Sequence, residues 1–62
     1  MKEGDKVTYT APHGDKENGI IKSFNDERSY VFVVYNCNND WDNYQNYTGQ
    51  CTNILSLELG WN

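Results

Sequence analysis

Histidine, cysteine and proline are scarce in this 62-residue sequence: there is one histidine, His13, two cysteines, Cys37 and Cys51, and one proline, Pro12. Two cysteines cannot supply a structural zinc site, which takes four ligands. Long hydrophobic runs are also missing, and no stretch approaches the roughly 20 apolar residues of a membrane-spanning helix. Met1-Lys2-Glu3-Gly4-Asp5 has no apolar core of the kind a secretory leader carries. The expected location is therefore cytoplasmic, with no membrane partner. In that reducing compartment the expected state of Cys37 and Cys51 is the free thiol. If paired, they would close a loop and contribute about 3 kcal/mol in the chain-entropy picture. No segment has the length and pattern of an independent amphipathic helix. Basic clusters are absent too. Lys2, Lys6, Lys16, Lys22 and Arg28 are dispersed, nine acids outnumber them, and the net charge is −4. Such a chain is repelled by phosphate backbones, whose neutralisation drives most nucleic-acid binding.

What the sequence does hold is aromatic. Five tyrosines, two phenylalanines and two tryptophans make up 15% of the residues. That excludes an intrinsically disordered composition. A chain this short forms one domain, residues 1–62, and buries only about 60% of the surface its unfolded form exposes. Large rings are an economical way to fill so small a core.

Strand patterns occupy the first half. Lys6 to Thr10 alternates, with Val7 and Tyr9 on one face. Pro12 and Gly14 interrupt it, and 11–18 reads as a polar loop ended by the turn signal Asn18-Gly19. Gly19 to Asn25 reads as the second strand with Ile21 inward, and Asn25 to Ser29 as a hairpin connection. Tyr30 to Tyr35 is β-branched or aromatic throughout. Val31, Val33 and Tyr35 are assigned to the core. Tyr30, Phe32 and Val34 form a second apolar face, either covered by the C-terminal segment or exposed for binding. Asn36 to Gly49 is a long Asn-rich loop in which Trp41, Tyr44 and Tyr47 recur every three residues, the spacing of a single helical turn. Gln50 to Asn53 is a short fourth strand, Ile54 to Leu57 a brief turn, and Glu58 to Trp61 the closing strand.

The string Gly4-Asp5-Lys6-Val7-x-Tyr9, followed after a loop by Gly19-x-Ile21-x-x-Phe24, resembles the KOW and Tudor-like SH3-fold barrels. Tyr30 to Tyr35 and Leu57-Glu58-Leu59 fit the same plan, and the whole chain resembles small proteins of phage and mobile elements with that fold. The resemblance implies an all-β, five-stranded, strongly bent SH3-like barrel without a catalytic site, its long loop lying between strands three and four. It also implies binding: KOW domains contact RNA or ribosomal and transcription partners, Tudor domains methylated side chains, SH3 domains proline-rich peptides. This chain lacks the basic loops of KOW proteins. No aromatic cage is matched residue by residue, so no binding residues carry over from these families.

Candidate chemistry is sparse. Asp40-Trp41-Asp42 suggests a calcium loop, but the required glycine and glutamate positions hold Gln45 and Cys51. Cys37 and His13 lack a third group to orient them. Asp5, Asp15, Glu17, Asp26 and Glu27 fall in turns with nothing to separate their pKa values. Asn46-Tyr47-Thr48 matches a glycosylation sequon without a leader before it. No enzyme, cofactor or metal is expected. The expectation is a binding module that contacts a protein or peptide through Trp41, Tyr44 and Tyr47, supported by Tyr30 and Phe32, with Asn groups around these anchors. The competing reading folds one or two of the loop rings back onto the core. Two alternative functions remain: RNA or single-stranded nucleic-acid binding, if Lys6, Lys22 and Arg28 share a face with stacking rings, and inhibition of a host protein by an acidic surface. An open sheet edge would also allow a homodimer.

Overall fold

A computed structural model of the chain describes residues 1–61. Five antiparallel strands form one sheet: β1 (Lys6–Thr10), β2 (Lys16–Phe24), β3 (Tyr30–Val34), β4 (Gln50–Asn53) and β5 (Leu57–Leu59), in the order β4-β3-β2-β1-β5. The expected all-β class and strand number hold. The sheet is open: β4 and β5 are its edges, and a 3₁₀ turn, Ile54–Ser56, links them. Asn53 caps that turn by accepting a hydrogen bond from the Leu55 N–H at 2.9 Å.

The strands bury residues on both faces of the sheet. Val7, Ile21, Val31, Val33 and Leu57 form the buried cluster, with Tyr9, Phe24, Tyr35 and Ile54 packed at its margin. This matches the expected inward set. Between Ile21 and Ser23 the β2–β3 register shifts, leaving a bulge at Lys22. A bulge bends its strand and adds twist. Residues 16–20 of β2 accordingly pair with β1, and residues 20–24 with β3.

The polar loop expected over 11–18 holds as far as Asp15, and only its last three residues, Lys16 to Asn18, are strand. β2 begins at Lys16, and Thr10 pairs with Lys16 across a tight turn in which the Gly14 N–H donates to the Ala11 carbonyl at 2.9 Å. Ladder pairing is a backbone property, so a polar hairpin arm needs no apolar face. Asn18-Gly19 is not a turn but the middle of β2, with Gly19 opposite Val7. A Cβ on Gly19 would stand 2.6 Å from Val33 Cγ1 and 2.8 Å from the Val34 carbonyl oxygen. The glycine is there for close approach between strands. The last strand ends earlier than expected, at Leu59, because Gly60 turns the chain with φ +90°.

The second face is covered as well. Val34 and Thr8 are fully buried, Ile20 is nearly so, and Phe32 is half-buried, while Tyr30 is 44% exposed. The Thr8 hydroxyl lies within hydrogen-bond distance of Asn18 Oδ1 (2.9 Å) and the Gly60 carbonyl (2.8 Å), and its single proton serves one of them at a time. The cover comes from the long loop and from Trp61.

Candidate functional site

The long loop leaves β3 through two left-handed residues, Asn38 and Asn39, a conformation asparagine tolerates well. It then forms a 3₁₀ segment over Trp41–Asn46, kinked at Asn43. In 3₁₀ geometry residues three apart eclipse. Trp41, Tyr44 and Tyr47 therefore fall in line, all half-buried, while Asp42, Asn43, Gln45 and Asn46 are exposed. The rings face the protein, and the polar groups face solvent.

Trp41 and Tyr47 are tied to other parts of the protein, and Tyr44 lies beside Gly4. Trp41 and Trp61 pack with ring centroids 5.0 Å apart at 59°. The Trp61 indole N–H donates to the Gly19 carbonyl at 2.8 Å, and Lys6 Nζ lies 4.7 Å from the centre of the Trp61 ring. The Tyr44 hydroxyl comes within 3.4 Å of where a Cβ on Gly4 would be. Lys22 Nζ donates to the Tyr47 carbonyl at 2.7 Å, and the Tyr47 hydroxyl reaches Asp40 Oδ2 at 3.4 Å. Partial desolvation, followed by the Asp40 carboxylate, raises the Tyr47 phenol above its ordinary value. Gly49 presses on Phe32, where a Cβ would meet the Phe32 Cβ at 2.9 Å. Trp41, Tyr44 and Tyr47 are thus the half-buried rings of the loop, and Gly49 at its end packs on Phe32. Tyr30 sits beside the β2–β3 turn, where its N–H donates to Asn25 Oδ1 at 3.2 Å.

A second surface lies at the end of the sheet where β1 meets the hairpin tip. Tyr9 and Tyr35 make an edge-to-face pair with centroids 6.1 Å apart. The Tyr35 and Thr52 hydroxyls are hydrogen-bonded at 2.9 Å, and the Thr52 hydroxyl also lies 3.2 Å from the Gln50 carbonyl. Burial raises the Tyr35 phenol above its ordinary value; the Thr52 hydrogen bond opposes this, and Glu17 and Tyr9 add to it. The two tyrosines and Glu17 line a groove of about 250 Å³ that runs to Ser56. Tyr9 and Glu17 also line a wider concavity of about 600 Å³ along Pro12, Asp15 and Lys16. The two depressions share Tyr9 and Glu17 as walls.

The sequence pattern placed Tyr9 and Tyr35 in the core and Glu17 in a loop, so this groove was missed. One signal was available. Tyrosine carries a polar tip on an apolar body and sits well where a core opens to water.

Both cysteines are free thiols, Cys37 buried and Cys51 exposed. His13 lies on the exposed hairpin tip, 3.0 Å from Asp15 Oδ2. Among the described residues no cluster of His, Cys, Asp and Glu could hold a metal ion, and no helix is long and apolar enough to cross a membrane. Comparison with protein-family models, with curated proteins and with solved structures finds no match.

Proposed function

We propose that the chain is a small, non-enzymatic binding module on an SH3-like barrel scaffold, and that it takes an extended basic peptide segment of a protein partner along the Tyr9–Tyr35 groove. The barrel reading draws on β2, which bends at its bulge and serves β1 with one half and β3 with the other. It also draws on the 3₁₀ turn that joins the two sheet edges.

The single observation that carries the binding site is the groove lined by two half-buried tyrosines and Glu17, with a second depression on the far side of Tyr9 and Glu17. Tyrosines offer rigid amphipathic contact at low entropic cost. Glu17 and Asp15 are exposed carboxylates beside them, on a chain of net charge −4. A cationic side chain over a tyrosine face, near a carboxylate, gains from both groups. The aromatic loop is less suited to be the contact surface, because Trp41 packs on Trp61 and the Tyr47 hydroxyl reaches Asp40. For nucleic acid, Lys6 and Lys22 are committed to Trp61 and to the Tyr47 carbonyl, and Arg28 packs on Phe24 at 4.1 Å.

The test is an array of extended peptides, basic and acidic, followed by amide chemical-shift mapping with the best binder. Basic peptides should bind, shift Tyr9, Glu17, Tyr35 and Thr52, and weaken as salt rises. Glu17→Gln should weaken them about two- to fivefold, the size of an exposed charge pair. Shifts confined to Trp41–Tyr47, or binding only to single-stranded oligonucleotides at low salt, would sink this reading.

A further inference from the structure

We propose that the outer edge of β4 pairs antiparallel with β4 of a second copy of this chain, forming a two-fold dimer with Cys51 on the axis. The argument rests on backbone direction and not on the peptide-binding reading, although Cys51 and Asn53 also line the Tyr9–Tyr35 groove.

The argument begins with register. β3 and β4 pair as Tyr30↔Asn53, Val31↔Thr52, Phe32↔Cys51 and Val33↔Gln50. One step further along the ladder, the Ile54 N–H donates to the Ser29 carbonyl at 3.1 Å. In an antiparallel ladder, hydrogen-bonded and non-hydrogen-bonded pairs alternate. Ser29 with Ile54 is a bonded pair, so Val31 with Thr52 and Val33 with Gln50 are bonded too. The backbone N–H and C=O groups of Cys51 and Asn53 then point away from β3. β4 is an edge strand, and they face outward from the sheet.

Edge strands are normally protected by lysine, proline, a bulge or an inward charge. β4 reads Gln-Cys-Thr-Asn and has none of these, its four-residue length being its one protection. The other edge differs. Pairing β5 with its own copy about Glu58 would set two carboxylates face to face, and like charges directly opposite destabilise a strand pair. β4 carries no charge, so self-pairing brings no like charges together across the axis. With the axis on Cys51, each Cys51 exchanges both backbone hydrogen bonds with its mate, and the outward-facing Asn53 meets Gly49 of the second copy. Cα atoms of such a bonded pair lie about 5.5 Å apart, within the roughly 4.4–6.8 Å that a disulfide spans. Cys51 is exposed, so its thiol can report the register.

The experiment measures mass by light scattering from about 10 µM to about 1 mM, a range chosen for the weak association expected of a short, wet edge. Wild-type protein should approach twice the 7.2 kDa chain mass. Cys51→Lys should weaken the dimer about tenfold by setting two ammonium groups opposite each other. Brief oxidation with diamide should trap a covalent dimer in wild type and none in Cys51→Ser, while Cys51→Ser keeps the non-covalent dimer. The trapping arm does not depend on how the lysine variant folds. A monomer across the whole range overturns the proposal. So does a dimer that Cys51→Lys leaves unweakened and diamide does not trap.

Discussion

Gly19→Ala is the sharpest probe of how this sheet is assembled. The added Cβ would lie 2.6 Å from Val33 Cγ1, 2.8 Å from the Val34 carbonyl oxygen and 3.0 Å from Tyr35 Cδ1. Carbon atoms in favourable contact sit about 3.5–4.0 Å apart, so neighbours must retreat by about 1 Å. They have little room. Val33 and Val34 are fully buried, and Val33 pairs with both Ile21 and Gln50. Overpacking of this kind costs about 1–3 kcal/mol. Alanine returns about 0.4–1 kcal/mol by restricting the unfolded chain. The net loss is about 1–2 kcal/mol, which for a domain of this size lowers Tm by about 5–15 °C. Thermal unfolding followed by near-UV circular dichroism measures it. A double-mutant cycle with Val33→Ala isolates the cause. Removing Cγ1 relieves the closest contact, so the double variant should be about 1 kcal/mol more stable than the sum of the single losses. Gly14→Ala, where no atom lies within 4 Å of the new Cβ, should add independently with Val33→Ala. An unchanged or raised Tm for Gly19→Ala, or strict additivity with Val33→Ala, refutes the close-approach argument.

Trp61→Ala should cost about 2 kcal/mol, from the lost indole hydrogen bond, the Lys6 contact and ring packing; Trp41, then the sole tryptophan, should emit to the red, and unchanged stability with unchanged emission would count against the proposed cover. Tyr35→Phe should cost about 1 kcal/mol below pH 10 through the hydrogen bond to Thr52. Burial raises the Tyr35 phenol, so the folded state holds this proton more tightly than the unfolded chain does. Its contribution is complete below the ordinary tyrosine value, about 10, and is lost as pH rises through the higher folded value. Denaturant titrations should therefore show a steeper loss above about pH 10 in wild type than in Tyr35→Phe, and parallel curves would contradict it.

Much of the scaffold was legible because strands announce themselves by alternation. Val7 with Tyr9, and Val31 with Val33 and Tyr35, mark one face before any contact is known. The three-residue spacing of Trp41, Tyr44 and Tyr47 likewise corresponds to the 3₁₀ segment over Trp41–Asn46. Asn18-Gly19 misled because the same dipeptide serves a hairpin turn or a tight strand crossing, and only the arrival of Val33 from another strand distinguishes them. The polar arm of β2, Lys16 to Asn18, was illegible for a different reason. It is held by backbone pairing to β1, which leaves no mark on side-chain polarity. The groove escaped notice because Tyr9, Glu17 and Tyr35 come from three separate strands or strand ends, and their meeting is a matter of register.

By itself, the sequence determined a single small all-β unit. Its aromatic content, β-branched runs and turn residues leave no other economical way to bury apolar surface in 62 residues. The tertiary structure alone decided which side of each ring meets water. Trp41, Tyr44 and Tyr47 turn toward the sheet because Ile20, Val34 and Phe32 need a cover and Trp61 pins the loop edge. Tyr9 and Tyr35 face the groove because the core ends there, between the hairpin tip and β4. Exposure is a property of neighbours brought together from distant positions, and a linear pattern records only the residues that must be brought.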